Sequence, residues 1–414
     1  MSVGSGFGAL LRIREFRGLQ AAALVSVLGD QLARVALSVL VFQRTGSSFL
    51  TAVTYAVSFA PALVGGPLLS GLADRLPRRR VMIACDLGRA AIAALIAVPG
   101  LPLGVLLSLL FCVGLLSPPF AAARSGVLRA AVGSDSYAAA SGFNQAVDQT
   151  AQLGGFALAG ILVAATSPRI ALVADALSFL VSAGLLVATV QVRPAAVVAG
   201  EGAQRSLLAL AGRDAALGWR LLMGDPVLRR AVLLVWVGLA AAVVPEGLAA
   251  PWAAQLGSGA RGVGLLLLAN PLGTVPGLLL ATRERRGVRH DPGRLMLILL
   301  AVTVIPLVAC LGSPPLAGAV ALLAISGFGS AYITLAQVLV VRSVRDEHLG
   351  RVVGVAGTGL TVAQAVGVVG GGVVGDWFAA PHVVGGAALL AIATCAVVLL
   401  GTRAGAPVAG LPQR

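Results

Sequence analysis

The sequence predicts an all-α membrane protein with twelve transmembrane helices, arranged as two pseudo-symmetric halves of six. Hydrophobic residues make up 58% of the 414 residues, charged residues only 11%, and the mean hydropathy is +0.96. A soluble globular domain carries about 25% charged residues, so this chain cannot cover a water-facing surface of its size. Long apolar runs alternate with short loops that contain arginine, which is typical of a multi-pass membrane protein.

Twelve apolar runs are each close to the length of about 20 residues that a helix needs to cross the hydrocarbon layer. They cover residues 18–42, 48–72, 81–98, 102–123, 137–164, 169–190, 229–252, 262–282, 294–311, 315–341, 352–377 and 382–402. A longer polar stretch separates the sixth run from the seventh. We therefore expect an N-terminal half at 1–190, a cytoplasmic linker at 191–228, a C-terminal half at 229–402 and a cytoplasmic tail at 403–414.

The distribution of arginine predicts the orientation of the bundle. All 30 basic residues are arginine, and 25 of them fall in the two termini or in loops on the same side of the membrane as the termini. The loops on the other side hold only Arg44, Arg169 and Arg261. Because short basic loops resist translocation, we expect both termini in the cytoplasm and the chain in a bacterial cytoplasmic membrane.

The linker contains a short amphipathic pattern. Between Ser206 and Gly224, leucines oppose Arg213, Asp214 and Arg220 at helical spacing. One interpretation is a helix that lies on the cytoplasmic membrane surface with Trp219 at the level of the lipid headgroups. The other is an ordinary linker helix that has no contact with lipid.

The sequence gives no indication of an enzyme or a nucleic-acid-binding protein. A phosphate-binding loop needs a lysine, and this chain has none. The four cysteines all lie inside apolar runs without the spacing of a metal site. The basic residues sit in short loops rather than on a continuous face, so we expect no nucleic-acid partner, no cofactor and no metal.

A charged loop between the second and third apolar runs resembles a motif of the major facilitator superfamily, G-x-L-A-D-R-x-G-R-R. The match falls at Leu72, Ala73, Asp74, Arg75, Arg78 and Arg79. Ser70 and Pro77 stand where the family usually has glycine. The resemblance implies the twelve-helix fold of that superfamily. It also implies that this loop, through its aspartate and arginines, controls the conformational cycle rather than binding substrate.

Shorter stretches are similar to one branch of the superfamily, the bacterial exporters that include the enterobactin exporter and macrolide and mycobacterial drug-efflux proteins. They lie at residues 27–30, 34–37, 175–183, 225–230 and 349–354. The resemblance implies secondary active export without a bound cofactor. One departure concerns the fifth helix, where Phe156 replaces the proline of the G-P-x-L-G-G motif found in many proton-driven drug exporters.

Ionisable side chains in the middle of a membrane span are costly and are therefore candidate functional residues. Asp30 and Arg34 lie near the middle of the first span, one helical turn apart on one face. They could neutralise one another so that the helix inserts. Alternatively, Asp30 could exchange protons, with its ionised form stabilised by Arg34 or Arg124.

The fifth span carries a polar strip that includes a second candidate. Asn144, Asp148 and Gln152 recur every four residues and share one helix face. No basic residue lies within one turn of Asp148 in the sequence, so we expect Asp148 to take up protons near neutral pH. The strip either faces a central cavity, where it contacts substrate or water, or forms hydrogen bonds between helices.

Four further charges in the spans are interpreted as structural. Asp175 and Glu246 lie toward the outer ends of their spans, where water is expected to be near. Asp86 and Arg89 lie at the inner end of the third span, close to the charged loop, and are expected to belong to the same charge cluster.

Together these features predict a monomeric transporter that exports a small amphipathic organic molecule in exchange for protons. The proton-motive force would supply the energy, and Asp148 is the first candidate to carry the proton. The alternative is a non-exporting protein with the same fold, which would be an importer, a lipid scramblase or a sensor.

Overall fold

The structure is a computed structural model, which describes residues 8–61, 76–194, 215–283 and 292–400. All the regular elements in these ranges are helices. The first half contains α1 Arg14–Thr45, α2 Ser48–Val57, α3 Arg78–Ile96, α4 Leu103–Leu115, α5 Ser117–Ala165 and α6 Pro168–Thr189. The second half contains α7 Pro226–Ala242, α8 Val244–Gly247, α9 Ala249–Gln255, α10 Gly259–Arg283, α11 Pro292–Val308, a 3₁₀ turn at Ala309–Gly312, α12 Leu316–Gly329, α13 Tyr332–Ser343, α14 Asp346–Gly375 and α15 Ala380–Leu400.

Each of the twelve predicted spans overlaps at least one of these helices. Ten spans in the described ranges are long and apolar enough to cross a membrane. The helices α2 and α3 account for the second and third predicted spans. Helix α5 contains the end of the fourth span and the whole of the fifth, and Gly133, with φ 76°, bends the chain between them. The predicted all-helical, two-halved architecture is confirmed.

Helix ends follow the local sequence. Ser47, Ser167 and Asp225 precede α2, α6 and α7, and each side chain accepts a hydrogen bond from a backbone N–H in the first turn of its helix. Such caps satisfy N–H groups that have no partner within the helix. The seventh predicted span is broken into α7, α8 and α9, and Pro245, which has no N–H to donate, lies in the middle piece.

The two halves meet at the end of the bundle opposite the start of α1 and the end of α15, which we call the distal end. The helix that carries Gly160 packs on α10 so closely that a Cβ at Gly160 would lie 3.0 Å from the Cα of Gly264. A Cβ at Gly372 of α14 would lie 2.4 Å from the Cβ of Ala52 in α2. Small residues thus allow the backbones of the two halves to approach closely.

At the other end, which we call the proximal end, comparable small residues have free space around them. No atom lies within 4 Å of the Cβ position of Gly142 in α5, or of Gly350, Gly354 and Gly357 in α14. Among the described residues, the bundle is therefore closed at its distal end and more open at its proximal end.

The described part of the linker packs on the second half. Residues 215–224 are helical, and Leu222 is fully buried against Leu228, Val232 and Val352. Trp219 stacks on Trp236 of α7, with ring centroids 6.2 Å apart. These contacts favour a packed linker helix over a helix that lies free on the lipid surface. The rest of the predicted amphipathic segment, including Arg213 and Asp214, lies outside the described residues.

Candidate functional site

The first polar group in the bundle consists of Arg124, Asn144 and Asp148, which we call the polar trio. Arg124 donates to both carboxylate oxygens of Asp148, from Nη2 to Oδ1 at 3.2 Å and from Nη1 to Oδ2 at 3.4 Å. Its Nη2 also donates to Oδ1 of Asn144, whose Nδ2 donates to Asp148 Oδ2 at 3.3 Å. The side chains of Arg124 and Asp148 remain 14% and 30% exposed, so the ion pair is not sealed inside the bundle.

The trio corrects two expectations from the sequence. Asp148 is not isolated from positive charge, because the bend at Gly133 folds the segment carrying Arg124 back against it. In this structure Arg124 pairs with Asp148 and not with Asp30. Gln152 lies one turn beyond Asp148 on the same face but takes no part in these hydrogen bonds.

The second polar group lies nearer the distal end. Asp30 and Arg34 of α1 line a cavity of about 80 Å³, together with Tyr55 of α2 and Asp175 of α6. Asp30 and Arg34 are both described here, yet they do not approach within the 4.0 Å of an ion pair. The two residues form no direct ion pair in this conformation, and both interpretations of Asp30, mutual neutralisation with Arg34 and exchange of protons, stay predictions.

The most informative contact in this group crosses between the two halves. The hydroxyl of Tyr55 donates to Oε2 of Glu246 at 2.6 Å, and the two residues are separated by 191 positions in the sequence. Tyr55 is buried and Glu246 is half-buried. Glu246 is therefore part of a polar group between the two halves, and its structural role stays a prediction.

Asp175 is also enclosed within the bundle. Its side chain faces Gly29 of α1, where a Cβ would lie 2.6 Å from Asp175 Oδ1. The residue is 4% exposed, and this oxygen is buried without a hydrogen-bond donor among the described residues. Only glycine at position 29 leaves room for the carboxyl, so α1 and α6 enclose it together.

A third charged group lies between α3 and α6. Asp86 accepts a hydrogen bond from Ser182 Oγ at 2.6 Å and lies 3.8 Å from Arg89. The guanidinium of Arg89 also packs on the rings of Phe120 and Phe179, at 4.9 and 5.5 Å from their centroids.

The charged loop is described only in part. Asp74 and Arg75 lie outside the described residues, so their role in the conformational cycle stays a prediction. Arg78 donates to the carbonyl oxygen of Gly126 at 3.2 Å. Arg79 donates to the carbonyl oxygen of Val187 at 2.6 Å. These two arginines fasten the start of α3 to α5 and α6.

The sequence and the fold of this chain both match known transporters. The sequence profile of the Major Facilitator Superfamily matches residues 20–247 and 247–414. The chain belongs to the major facilitator superfamily. A relative in Bacillus subtilis (strain 168), the uncharacterized MFS-type transporter YfiS, is 27% identical over 398 residues, which cover 92% of this chain and 90% of that protein. The chain is therefore a multi-pass membrane transporter and not an enzyme.

Solved structures share the fold at low sequence identity. A bacterial homologue of the human lysosomal transporter Spinster, in an inward-facing and unoccupied conformation, superposes with a TM-score of 0.70 at 14% identity, over 94% of this chain and 97% of that one. A POT family transporter in complex with 5-aminolevulinic acid superposes with a TM-score of 0.72 at 11% identity, over 95% of this chain and 96% of that one. A mutant of the nucleoside transporter NupG superposes with a TM-score of 0.69 at 13% identity, over 94% of this chain and 99% of that one.

The sequence missed the contact between Tyr55 and Glu246. A signal was present, since Glu246 is the one acid in the seventh predicted span and Tyr55 is one of three tyrosines in the chain. Nothing in the sequence, however, indicates that the two residues meet. Among the described residues, no group of three or more His, Cys, Asp or Glu side chains could hold a metal ion.

Proposed function

We propose that this transporter exports a small amphipathic organic molecule from the cytoplasm in exchange for protons, by alternating access across a bacterial cytoplasmic membrane. The polar trio is the observation that carries the proposal. A charged pair within a membrane bundle is costly and asks for a functional reason. This pair is contributed by two different spans and remains partly exposed, so water or a substrate can reach it.

The composition of the two halves supports an amphipathic substrate. The first half supplies Arg124 and Asp148. In the second half, a cavity of about 260 Å³ between α7, α13 and α14 is lined mainly by apolar side chains such as Trp236, Ile333 and Leu360. In this proposal the polar trio binds the polar group of the ligand and the cavity holds its apolar body, whereas a sugar needs many more hydrogen-bonding side chains.

The closed distal end supports export from the side of the termini. If the arginine bias places the proximal end in the cytoplasm, the observed conformation opens toward the cytoplasm. Substrate would then enter from the cytoplasmic side and leave after the two halves exchange their contacts at the distal end for contacts at the proximal end. In this scheme Asp148 takes a proton at the outer side and gives it up inside, which biases the two conformations in opposite directions.

The test is transport by the full-length protein in proteoliposomes under an imposed pH gradient, after a screen of amphipathic natural products for reduced toxicity in an expressing host. Asp148→Asn should abolish accumulation driven by the gradient and keep exchange of labelled for unlabelled substrate. Asp135→Asn is the matched control, because Asp135 is exposed near the bend at Gly133 and should transport normally.

Other outcomes would identify the alternatives. Uphill transport by Asp148→Asn would remove Asp148 from the coupling step and make Asp30 the next residue to test. Import under the same gradient would contradict the proposed direction. Lipid flipping that is independent of the gradient would indicate a scramblase.

A further inference from the structure

An apolar groove runs between α14 and α15 of the second half, with α7 as its floor. Its volume is about 570 Å³. Glycines and apolar side chains line it, apart from one polar residue toward each end, His382 and Thr394. The Thr394 hydroxyl donates to the carbonyl oxygen of Leu390 at 2.8 Å, within its own helix. The groove therefore offers hydrocarbon surface along its length and a polar side chain for a ligand only at its distal mouth.

The groove is open on its outer side. Val366, Phe378 and Leu390, which line it, are 64%, 61% and 69% exposed. Helix α14 packs on the first half through a different residue, Gly372, which contacts α2. The groove shares no lining residue with the apolar cavity of about 260 Å³ that the proposed function uses. It is therefore a separate site, and exposed apolar side chains in a membrane bundle draw their ligand from the bilayer.

The depth of the groove matches one leaflet of a membrane. Its wall on α15 runs from His382 to Thr394, which are twelve positions apart. At a rise of about 1.5 Å per residue, this wall is about 18 Å long. Half of a hydrocarbon core that is about 30 Å thick is about 15 Å. One acyl chain that enters at the distal mouth can therefore lie in the groove as far as the middle of the membrane.

Two glycines keep the groove open. Among the described residues, no atom of a neighbouring element lies within 4 Å of the Cβ position of Gly370 in α14 or of Gly386 in α15. The adjacent Gly367 differs, since a Cβ there would lie 2.0 Å from the carbonyl oxygen of Ala240 in α7. Small residues usually let helices pack closely. Close packing explains Gly367 but not Gly370 and Gly386, whereas a chain inserted between them uses the space that they leave.

A polar pocket of about 500 Å³ adjoins the distal mouth, and Phe378 lines both the groove and the pocket. Gln255, Ser313 and Asp376 contribute its polar side chains. Trp377 also lines it and is 76% exposed, as is typical of aromatic residues at the level of the lipid headgroups. Groove and pocket together form an amphipathic site, with its apolar part inside the membrane and its polar part at the surface.

The charges at the mouth suit a headgroup that carries a phosphate and then an ammonium. His382 lines the groove itself, and its imidazole N–H can donate to a phosphate next to the acyl chains. Asp376 lies in the pocket beyond it. Its Oδ1 accepts three hydrogen bonds from the start of α2, whereas its Oδ2 accepts one, from the Ser47 hydroxyl at 3.1 Å, and can accept another donor. No arginine lines the groove or the pocket, so a purely anionic headgroup lacks the basic residues that recruit it.

We propose that the groove is a binding site for one phospholipid of the leaflet at the distal side, with an ammonium headgroup such as that of phosphatidylethanolamine. One acyl chain lies between Gly370 and Gly386, the phosphate contacts His382, and the ammonium contacts Asp376. The site goes beyond the proposed function, because it does not include the substrate cavity and does not depend on proton exchange.

Native mass spectrometry of the full-length protein in detergent tests the headgroup. The protein is titrated with phosphatidylethanolamine and with phosphatidylglycerol that carries the same acyl chains. One molecule of phosphatidylethanolamine should bind about tenfold more tightly than phosphatidylglycerol, the change expected for one charge-assisted hydrogen bond. Asp376→Asn should remove this preference, and His382→Ala should weaken the binding of both lipids.

Two variants that fill the groove test its place. Gly370→Leu and Gly386→Leu should each lower the affinity for phosphatidylethanolamine about tenfold, because about two methylene groups of the chain can no longer be buried. Gly184→Leu is the matched control. Gly184 is an exposed glycine of α6 in the first half, with no atom of a neighbouring element within 4 Å, so this variant should bind the lipid like the parent. Thermal unfolding without added lipid shows that each variant is folded.

Unchanged affinity in both groove variants would overturn the site, and so would an equal loss in Gly184→Leu. Equal affinity of the parent for the two lipids would overturn the contact between the ammonium and Asp376. If Gly370→Leu fails to fold, Gly386→Leu alone decides the question. Because lipid binding is measured without a transported molecule, failure of this site and failure of the proposed export give different results.

Discussion

Removing the carboxylate of Asp376 is predicted to weaken the distal closure without disrupting either half. Asp376 directly follows α14, and its Oδ1 accepts hydrogen bonds from the backbone N–H of Ser48 at 2.6 Å and of Phe49 at 3.2 Å. The hydroxyl of Ser47 donates to the same carboxylate at 3.1 and 3.2 Å. An acid from the second half therefore caps the first turn of a helix in the first half.

The size of the effect follows from these contacts. A missing N-cap side chain costs about 0.5–2 kcal/mol. In Asp376→Ala, the Ser47 hydroxyl can still accept a hydrogen bond from the N–H of Leu50, a bond that measures 3.1 Å in the parent. Helix α2 therefore keeps one cap. The lost bonds exist only while the distal end is closed. A loss of about 1–2 kcal/mol therefore falls on the closed conformation and lowers the closed-to-open ratio by about 5–30-fold.

The measurement is the distance between spin labels on the two halves, placed at Gln43→Cys and Arg261→Cys, both exposed at the distal end. Cys112 and Cys395 are replaced by serine in all variants. Asp376→Ala should increase the population at long distance.

Asp225→Ala is the matched control. Asp225 accepts hydrogen bonds from the backbone N–H groups of Val227 and Leu228, at 2.8 and 3.1 Å, within the second half. Its replacement therefore removes the same kind of helix cap but no contact between the halves. Its distance distribution should stay that of the parent. An unchanged distribution in Asp376→Ala would refute the reasoning, and so would an equal shift in Asp225→Ala.

Two further predictions concern the distal contact between Gly160 and Gly264 and an ion pair at the proximal end. Gly160→Val should prevent the distal end from closing, because Gly264 leaves no space for a side chain, and should slow transport strongly. Gly154→Ala should transport normally, because its Cβ would lie 3.4 Å from the nearest atom. Equal transport rates in the two variants would contradict the importance of the close approach between Gly160 and Gly264. Arg193→Gln should lower stability by about 1–2 kcal/mol, because Arg193 pairs through both nitrogens with buried Glu15 at 2.5 and 2.7 Å. A thermal unfolding midpoint equal to that of the parent would contradict this.

The fold could be predicted from the sequence because each membrane-spanning helix is determined by its own segment of the chain. A span must satisfy its backbone hydrogen bonds internally, so the length and apolarity of each run are enough to place a helix. Even the bend at Gly133 falls between two predicted spans. The break in the seventh span was not predicted, although Pro245 marks it.

The candidate site could be predicted only where its residues lie on one helix. The spacing of Asn144 and Asp148 places them on one face, and the structure brings them together. Arg124, which lies just past the end of the predicted fourth span, was expected to stabilise Asp30, yet it lies in a helix and pairs with Asp148. A side chain that appears too charged for a span can enter the bundle when another helix supplies its partner, and the sequence does not say which helix that is.

What the sequence by itself determined is therefore the class of protein, its all-helical fold in two halves and the one-helix polar strip. What only the tertiary structure decided is how the two halves hold each other. Tyr55 and Glu246 meet across 191 positions, and Asp376 caps Ser48 across 328. Periodicity within a helix reports which residues share a face, but it carries no information on which face of another helix lies opposite. That choice depends on how small residues such as Gly160, Gly264 and Gly372 let the two halves pack together.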